Sequence, residues 1–176
     1  MTDPTITAAA RQTETTRAGV CLNVRPAFPA DETALADFFD RVSDEDRRFR
    51  FLSAHRHLTH EQLVPLVDAD HESTESLIAF DADTHEIVAS AMLACDKDMA
   101  GGEIAVSVRS DYRGKGVGWT MLDVLAGEAQ RRGLKRVVAI EDRENHAAIE
   151  LEREKGFVPH AMDDDPHLVL LEKTFG

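Results

Sequence analysis

The chain has 176 residues and a formal net charge of −13, with 33 acidic against 20 basic side chains. This length fits one domain with a sizeable core, and the acidic balance argues against the broad positive surface that nucleic-acid binding needs. Apolar residues make up 43% of the chain, yet no apolar run reaches the roughly 18 residues of a membrane-spanning helix. An acidic surface attracts cationic partners, although acidity also raises solubility without any partner.

The two cysteines, Cys21 and Cys95, are too few for a disulfide framework and lack the close spacing of a zinc site. The N-terminus does not show the basic and then apolar pattern of a secretory signal. These features predict a cytoplasmic protein with no bound metal, and neither a membrane nor a nucleic acid is expected as a partner. The composition leaves both a monomer and a homodimer open.

Residues 1–19 are small, polar and rich in threonine, which predicts a flexible tail before a single domain over 20–176. A short strand is predicted at 20–27, where it stops at a proline. Three amphipathic or capped helices are predicted next, at 31–42, 43–51 and 60–69.

The middle of the chain predicts a meander of three strands, followed by a helix. The runs "SLIAFD" (76–81) and "EIVASAML" (86–93) are joined by "ADTH" and indicate a hairpin, and "GEIAVSV" (102–108) is the third strand. The helix that follows extends to Arg132, and Gly133 is its expected stop. One apolar face of this helix is formed by Val117, Met121, Leu122, Leu125 and Ala129.

The C-terminal part predicts a buried strand at 136–141, a helix over 145–155 opened by Asn145, and a last strand at 167–175. The element order is therefore β-α-α-α-β-β-β-α-β-α-β. This order is typical of an α/β fold with a mixed sheet, helices on its faces and one parallel crossover around the glycine-rich turn.

The glycine-rich turn, "RGKGVG" (113–118), lies between a strand and a helix, where backbone N–H groups and the helix dipole favour a phosphate. The run lacks the P-loop pattern, and only the first half of the dinucleotide fingerprint is present, because Trp119 stands at its third glycine. The spacing that does fit is R-x-x-G-x-G, with glycines that let a pyrophosphate come close to the backbone. A tight turn into a helix explains the same residues without any ligand.

The neighbouring segments add a specific resemblance. The run from "VSVRSDYRGKGVG" to "RGLKRV", followed by "ENHAAIELEREKGF", resembles the coenzyme-A-binding half of the GNAT superfamily of acyl-CoA N-acyltransferases over about residues 103–158. The N-terminal half, from "RPAFPADETALADFF" to "STESLIAF", is similar to the acetyltransferase domain of bacterial protein lysine acetyltransferases. This resemblance implies a mostly antiparallel sheet flanked by helices, with two strands splayed apart at the acyl-CoA site.

The resemblance further implies that acetyl-CoA is the acyl donor. Its pyrophosphate would lie on the glycine-rich turn, and its pantetheine arm would add to a strand through backbone groups. Asn145 would lie near the thioester end, although a plain helix N-cap explains this residue equally well. The residues that the resemblance assigns to acetyl-CoA are Val106, Val108, Arg113, Gly114, Lys115, Gly116, Val117, Gly118 and Asn145.

A base is needed because an amine attacks a thioester only when it is neutral, and a lysine is neutral in roughly one molecule per thousand near pH 7.4. Glu103 is the candidate base, since similar protein acetyltransferases use a glutamate at the matching place. An ordinary charge at a strand end is the alternative for Glu103. Glu72 and His71 are reserve candidates.

The leaving thiolate raises a second question. Many members of the family place a tyrosine acid seven residues after the asparagine, but this chain has Glu152 there, which is expected to be a solvated helix charge. The sole tyrosine, Tyr112, is expected to be a packing residue. A proton donor is therefore not identified from the sequence.

The predicted function is the direct transfer of an acetyl group from acetyl-CoA to a primary amine, with a protein lysine as the favoured acceptor. No cysteine has an adjacent histidine, which disfavours a covalent intermediate. The alternatives are acetylation of a small-molecule amine and an acyl-CoA-binding sensor without catalysis. The histidines of "HRHLTH" (55–60) are not spaced as metal ligands.

Overall fold

The computed structural model describes residues 9–51 and 56–176, in which an eight-stranded mixed sheet carries helices on both faces. The strands are β1 (Gln12–Thr15), β2 (Cys21–Pro26), β3 (Thr74–Asp81), β4 (Ile87–Cys95), β5 (Gly101–Val108), β6 (Arg136–Asp142), β7 (Val158–Ala161) and β8 (Leu168–Thr174). The helices are α1 (Glu32–Asp40), α2 (Asp44–Phe51), α3 (His60–Val67), α4 (Val117–Arg131) and α5 (His146–Glu154). No helix of these described ranges is long and apolar enough to cross a bilayer.

The strand order in the sheet is β1-β2-β3-β4-β5-β6-β8-β7, and every pair is antiparallel except β5 with β6. Helix α4 makes the parallel crossover between β5 and β6. The predicted mixed, mostly antiparallel sheet with one crossover at the glycine-rich turn is thereby confirmed.

Two strands were not predicted from the sequence. β1 lies within residues 1–19, so the expectation of a flexible tail is wrong for 12–15, while residues 1–8 lie outside the described ranges. β1 forms because its threonines suit a strand, and because a turn at positive φ on Gly19 (87°) returns the chain to β2. β7 is a short, exposed strand that pairs with β8 at the sheet edge.

The sheet separates two apolar clusters. On one face, α4 packs its fully buried Met121 and Leu125 against the sheet, and all five residues predicted for its apolar face are buried. On the other face, α1 and α3 bury side chains such as Leu35 and Phe39. Alternation along β3, with Leu77 in the first cluster and Ile78 in the second, ties both clusters to one sheet.

The parallel pair β5–β6 is short. Its register runs only from Gly101 opposite Arg136 to Glu103 opposite Val138. Beyond that point β5 stays paired with β4 as far as Val108, and β6 stays paired with β8 as far as Asp142. The two strands therefore diverge and leave a wedge-shaped opening in the middle of the sheet. This confirms the prediction that two strands splay apart.

Candidate active site

The opening between β5 and β6 continues into a cavity of about 410 Å³. The glycine-rich turn and the start of α4 line one end, and Glu103 lies at the other end, where the two strands part. The β6 side of the cavity is formed by Glu141 with α5, and α2 adds Arg50. Of the ten residues predicted for the site, nine line this cavity, and Lys115 does not.

Backbone groups of β5 are free to bind a ligand in the opening. At its two ends β5 bonds to β4 through the Gly101 carbonyl (2.8 Å) and the Arg109 N–H (3.0 Å), so the odd-numbered residues face β4. Since backbone groups alternate sides along a strand, those of Val106 and Val108 face away from β4. No other strand of the described residues pairs with β5 beyond Glu103, so these groups are available for strand addition.

The glycine-rich turn brings the first turn of α4 to the cavity. Gly114 and Gly116 have φ angles of 76° and 80°, and Gly116 is the N-cap residue of α4. Glycine adopts this left-handed conformation without the steric cost that other residues bear. The first N–H groups of a helix have no partner within the helix, and with the helix dipole they form a site for an anion.

Packing gives two of these glycines a further reason to be small. A Cβ on Gly118 would lie 3.1 Å from Leu151 Cδ2, and a Cβ on Gly116 would lie 3.3 Å from the Arg17 nitrogen. The sequence offered two reasons for these glycines, the close approach of pyrophosphate and a tight turn into a helix. The contacts add two others, the packing of α4 on α5 and the packing of the turn under the β1–β2 connection.

The basic residues near the turn have separate surroundings. Arg113 is half-exposed, and its Nη1 lies 3.6 Å from Asp46 Oδ2. Lys115 Nζ lies 4.8 Å from the centroid of the Tyr112 ring. Tyr112 is buried and donates its hydroxyl to Asp81, which confirms its expected packing role. The Arg17 guanidinium, which the sequence did not single out, also lines the cavity and lies 4.0 Å from the Trp119 ring.

Glu103 is an exposed residue at the last position where β5 pairs with β6. Across the cavity, burial lowers the pKa of Arg50, while the charges of Glu103 and Glu141 oppose that shift. Arg50 Nη2 also donates to Met92 Sδ at 3.7 Å. Two arginines of α2 therefore have different surroundings. Arg50 lines the cavity, whereas Arg47 is buried and donates to the Phe39 carbonyl (2.9 Å) near the end of α1.

The reserve base candidates, His71 and Glu72, are not brought to the cavity. His71 Nδ1 lies 2.6 Å from Glu75 Oε1, and Arg132 Nη2 donates both to the His71 carbonyl (3.0 Å) and to Glu75 Oε2 (3.1 Å). Glu75 and Arg132 have side chains without solvent exposure. These residues belong to a buried ionic network that joins β3 to the end of α4.

Glu152 differs most from its sequence expectation. It was predicted to be a solvated charge, but it is only 5% exposed and lines the cavity. The helical repeat explains this, because Asn145, Ala148 and Glu152 share the face of α5 that lines the cavity. Burial, together with hydrogen bonding and charge repulsion from Glu141, raises the pKa of Glu152 to about 10.

Asn145 has two contacts in this wall. Its side-chain oxygen accepts a hydrogen bond from the Ala148 N–H (3.4 Å), and its Nδ2 donates to Glu141 Oε2 (3.3 Å). Asn145 is therefore the N-cap of α5 and a cavity residue at once. Burial raises the pKa of Glu141 as well.

The histidines near α3 pair with acids on α1. His57 Nδ1 lies 2.8 Å from Asp40 Oδ1, and His60 Nδ1 lies 2.7 Å from Glu32 Oε1; His55 lies outside the described residues. Within 9–51 and 56–176, no three His, Cys, Asp or Glu side chains are grouped so as to hold a metal ion.

Comparisons with known proteins agree with this geometry. The family model described as the acetyltransferase (GNAT) family matches residues 34–157. An acetyltransferase of Pseudomonas aeruginosa is 27% identical over 150 residues, covering 84% of this chain and 80% of that protein.

Two solved structures share the fold. The crystal structure of the GNAT domain of S. lividans PAT aligns with a TM-score of 0.86 at 22% identity, over 94% of this chain and 97% of that chain. Spermidine N-acetyltransferase from Vibrio cholerae, solved in complex with CoA and spermine, aligns with a TM-score of 0.68 at 14% identity, over 86% of this chain and 92% of that chain.

Proposed function

The chain belongs to the GNAT acetyltransferase family, and from that premise we propose that it transfers the acetyl group of acetyl-CoA directly to the side-chain amine of a protein lysine. Acetyl-CoA as donor follows from the family. The observation that supports direct transfer to an amine is the open wedge between β5 and β6. It has an anion site at one end and Glu103 at the other.

We place the donor along the whole length of this wedge. In the proposal, the pyrophosphate lies on residues 113–118 at the N-terminus of α4. The pantetheine arm runs along β5 and bonds to the backbone groups of Val106 and Val108, which places the thioester toward Glu103. Asn145 borders the arm from the α5 side. Lys115 faces Tyr112 and contributes only the backbone of the turn.

The chemistry requires a base and an oxyanion donor. Removing the proton from a lysine near neutral pH opposes the reaction by about 4 kcal/mol, and an exposed carboxylate at the apex of the wedge can accept that proton. Glu103 has this position in the proposal. The Val106 N–H, which faces the wedge, stabilises the oxyanion of the tetrahedral intermediate.

A protein acceptor is supported by the resemblance of the N-terminal half of the sequence to the acetyltransferase domain of bacterial protein lysine acetyltransferases. The GNAT domain of S. lividans PAT covers nearly the whole of this chain. The net charge of −13 attracts a basic segment around the target lysine.

A small polyamine is the second candidate acceptor. The same acidity favours it, and the likeness to a spermidine N-acetyltransferase points to the same chemistry. The two candidates differ in size, so a panel that contains lysine peptides, folded proteins, spermidine and aminoglycosides separates them.

The experiment that tests the proposal is Glu103→Gln, assayed by release of the coenzyme A thiol and by calorimetry with acetyl-CoA. We expect turnover to fall by roughly 10²-fold or more while acetyl-CoA affinity stays unchanged. Glu144→Gln is the matched control, because Glu144 is exposed and does not line the cavity. Equal turnover of Glu103→Gln and wild type would remove Glu103 as the base. Tight acetyl-CoA binding without thiol release for any amine would identify a sensor instead.

A further inference from the structure

The β6–α5 wall of the cavity contains a pair of carboxyl groups in hydrogen-bonding contact, Glu141 and Glu152. Glu152 is almost fully buried. The proposed function gives this pair of carboxyl groups no role, either as the base or in binding the pyrophosphate. What the pair can do depends on which of the two carboxyl groups is protonated.

The hydrogen bonds locate one proton on Glu152. Its Oε2 is buried and receives no hydrogen bond from any donor in the described part of the chain. Glu141, in contrast, accepts a bond from Asn145 Nδ2 and faces the positive charge of Arg50. Two touching carboxyls cannot both be charged at low cost, so the carboxylate is Glu141 and the neutral acid is Glu152.

The strand register places Glu141, the partner of this acid, level with Val106 on the far side of the wedge. Glu103 is opposite Val138, at the last paired position of β5 and β6. Glu141 is three residues further along β6, about 10 Å from that position at strand spacing. The same distance along β5 reaches Val106, whose backbone groups face the wedge.

We propose that Glu152 is the acid that protonates the sulfur of coenzyme A as the carbon–sulfur bond breaks. This inference rests on the proposed function. Glu103 first takes the proton of the lysine ammonium and passes it to solvent; the neutral amine nitrogen then bonds to the thioester carbon and gives a second proton to Glu103. The electron pair of the carbon–sulfur bond moves to sulfur, which takes the proton of Glu152. Glu103 then releases a proton to solvent and Glu152 recovers one, so the sum is an amide and a free thiol.

A neutral carboxyl performs this step where a charged one cannot, because a carboxylate only accepts hydrogen bonds. Burial keeps Glu152 in its acid form far above the pH at which a solvated glutamate loses its proton. The charged groups that face the pair are Arg50 and Asp46 on α2, with Glu103 on β5 acting through Arg50. Any shift in their ionisation is common to wild type and to a variant at position 152.

The test is Glu152→Gln, which keeps the size and polarity of the side chain but carries no transferable proton. Glu154→Gln, on the exposed face of the same helix, is the matched control. We expect kcat of Glu152→Gln to fall by roughly 10- to 100-fold, with the KM of the amine and the affinity for acetyl-CoA unchanged. We also expect wild-type kcat to decline as pH rises through about 10, and the variant to lack that decline.

A second measurement does not depend on activity. Infrared spectra near neutral pH should show the carbonyl band of a protonated carboxylic acid in wild type and in Glu154→Gln, and no such band in Glu152→Gln. Absence of the band in wild type would overturn the inference. So would unchanged kcat in Glu152→Gln, or a loss of acetyl-CoA affinity as large as the loss of kcat. Failure of the wild type to acetylate any amine would instead overturn the proposed function, while the band would still report on Glu152.

Discussion

Replacing Glu152 by glutamine is expected to stabilise the fold at neutral pH. In the unfolded chain this carboxyl has an ordinary pKa of 4.5, whereas burial raises its pKa to about 10 in the folded state. Folding at pH 7 therefore requires the group to take up a proton. Each pKa unit corresponds to about 1.4 kcal/mol, so the roughly 2.5 units between 4.5 and pH 7 cost about 3 kcal/mol.

The sign of the pH dependence follows from the raised pKa. Below about pH 4.5 the carboxyl is neutral in both states and costs nothing. As pH rises from there towards about 10, the folded state holds a proton that the unfolded state has lost, so wild-type stability declines. Glutamine has no such proton, and the advantage of Glu152→Gln should grow with pH across this window.

Urea unfolding of wild type and Glu152→Gln at several pH values measures this difference, with Glu154→Gln as the exposed control. We expect the two free energies of unfolding to converge near pH 4.5 and to differ by about 3 kcal/mol at pH 7, in favour of the variant. A difference that does not change with pH would refute the assignment of the proton to Glu152. A variant that is less stable than wild type at pH 7 would refute it as well.

Four further substitutions test other parts of the structure. Arg132→Leu removes the buried guanidinium that pairs with both Glu75 and Glu128 and should lower the free energy of unfolding in urea by about 3–5 kcal/mol; a loss below about 1 kcal/mol would contradict the buried network. Gly114→Ala and Gly116→Ala both place alanine at positive φ, but the Cβ at 114 meets open space, so Gly116→Ala should show the larger drop in melting temperature, and equal drops would contradict the packing of the turn. Asn145→Ala removes the N-cap of α5 and should cost about 1 kcal/mol in the same urea assay, whereas no loss would show that the cap is not needed.

Most elements were predictable from periodicity and capping. The hairpin of β3 and β4, the helix after the glycine-rich turn and the strand at 136–141 follow local patterns that the structure confirms. β1 was not predictable from composition, because "QTET" is polar and its strand form depends on pairing with β2. β7 depends in the same way on β8.

Site residues that are adjacent in the chain were predictable from the sequence. Site residues whose properties depend on burial in the folded protein were not. The residues of the glycine-rich turn were predictable as part of a candidate site because a strand, a turn and a helix are adjacent in the chain. Glu152 could not, because its neutral form results from packing against Glu141, and a glutamate in a helix is normally solvated. The spacing from Asn145 to Glu152 is two helical turns, which is the one sequence signal that places both on the same face.

Acetyl transfer from labelled acetyl-CoA to a panel of lysine peptides, proteins and small amines is the most direct measurement of the central claim. We expect one coenzyme A thiol to be released for each acetyl group recovered as an amide on a lysine side chain, and this transfer to fall by about 10²-fold in Glu103→Gln. Label recovered on spermidine but not on lysine would contradict the protein acceptor. Acetyl-CoA that binds the wild-type protein and releases no thiol with any amine would contradict catalysis itself.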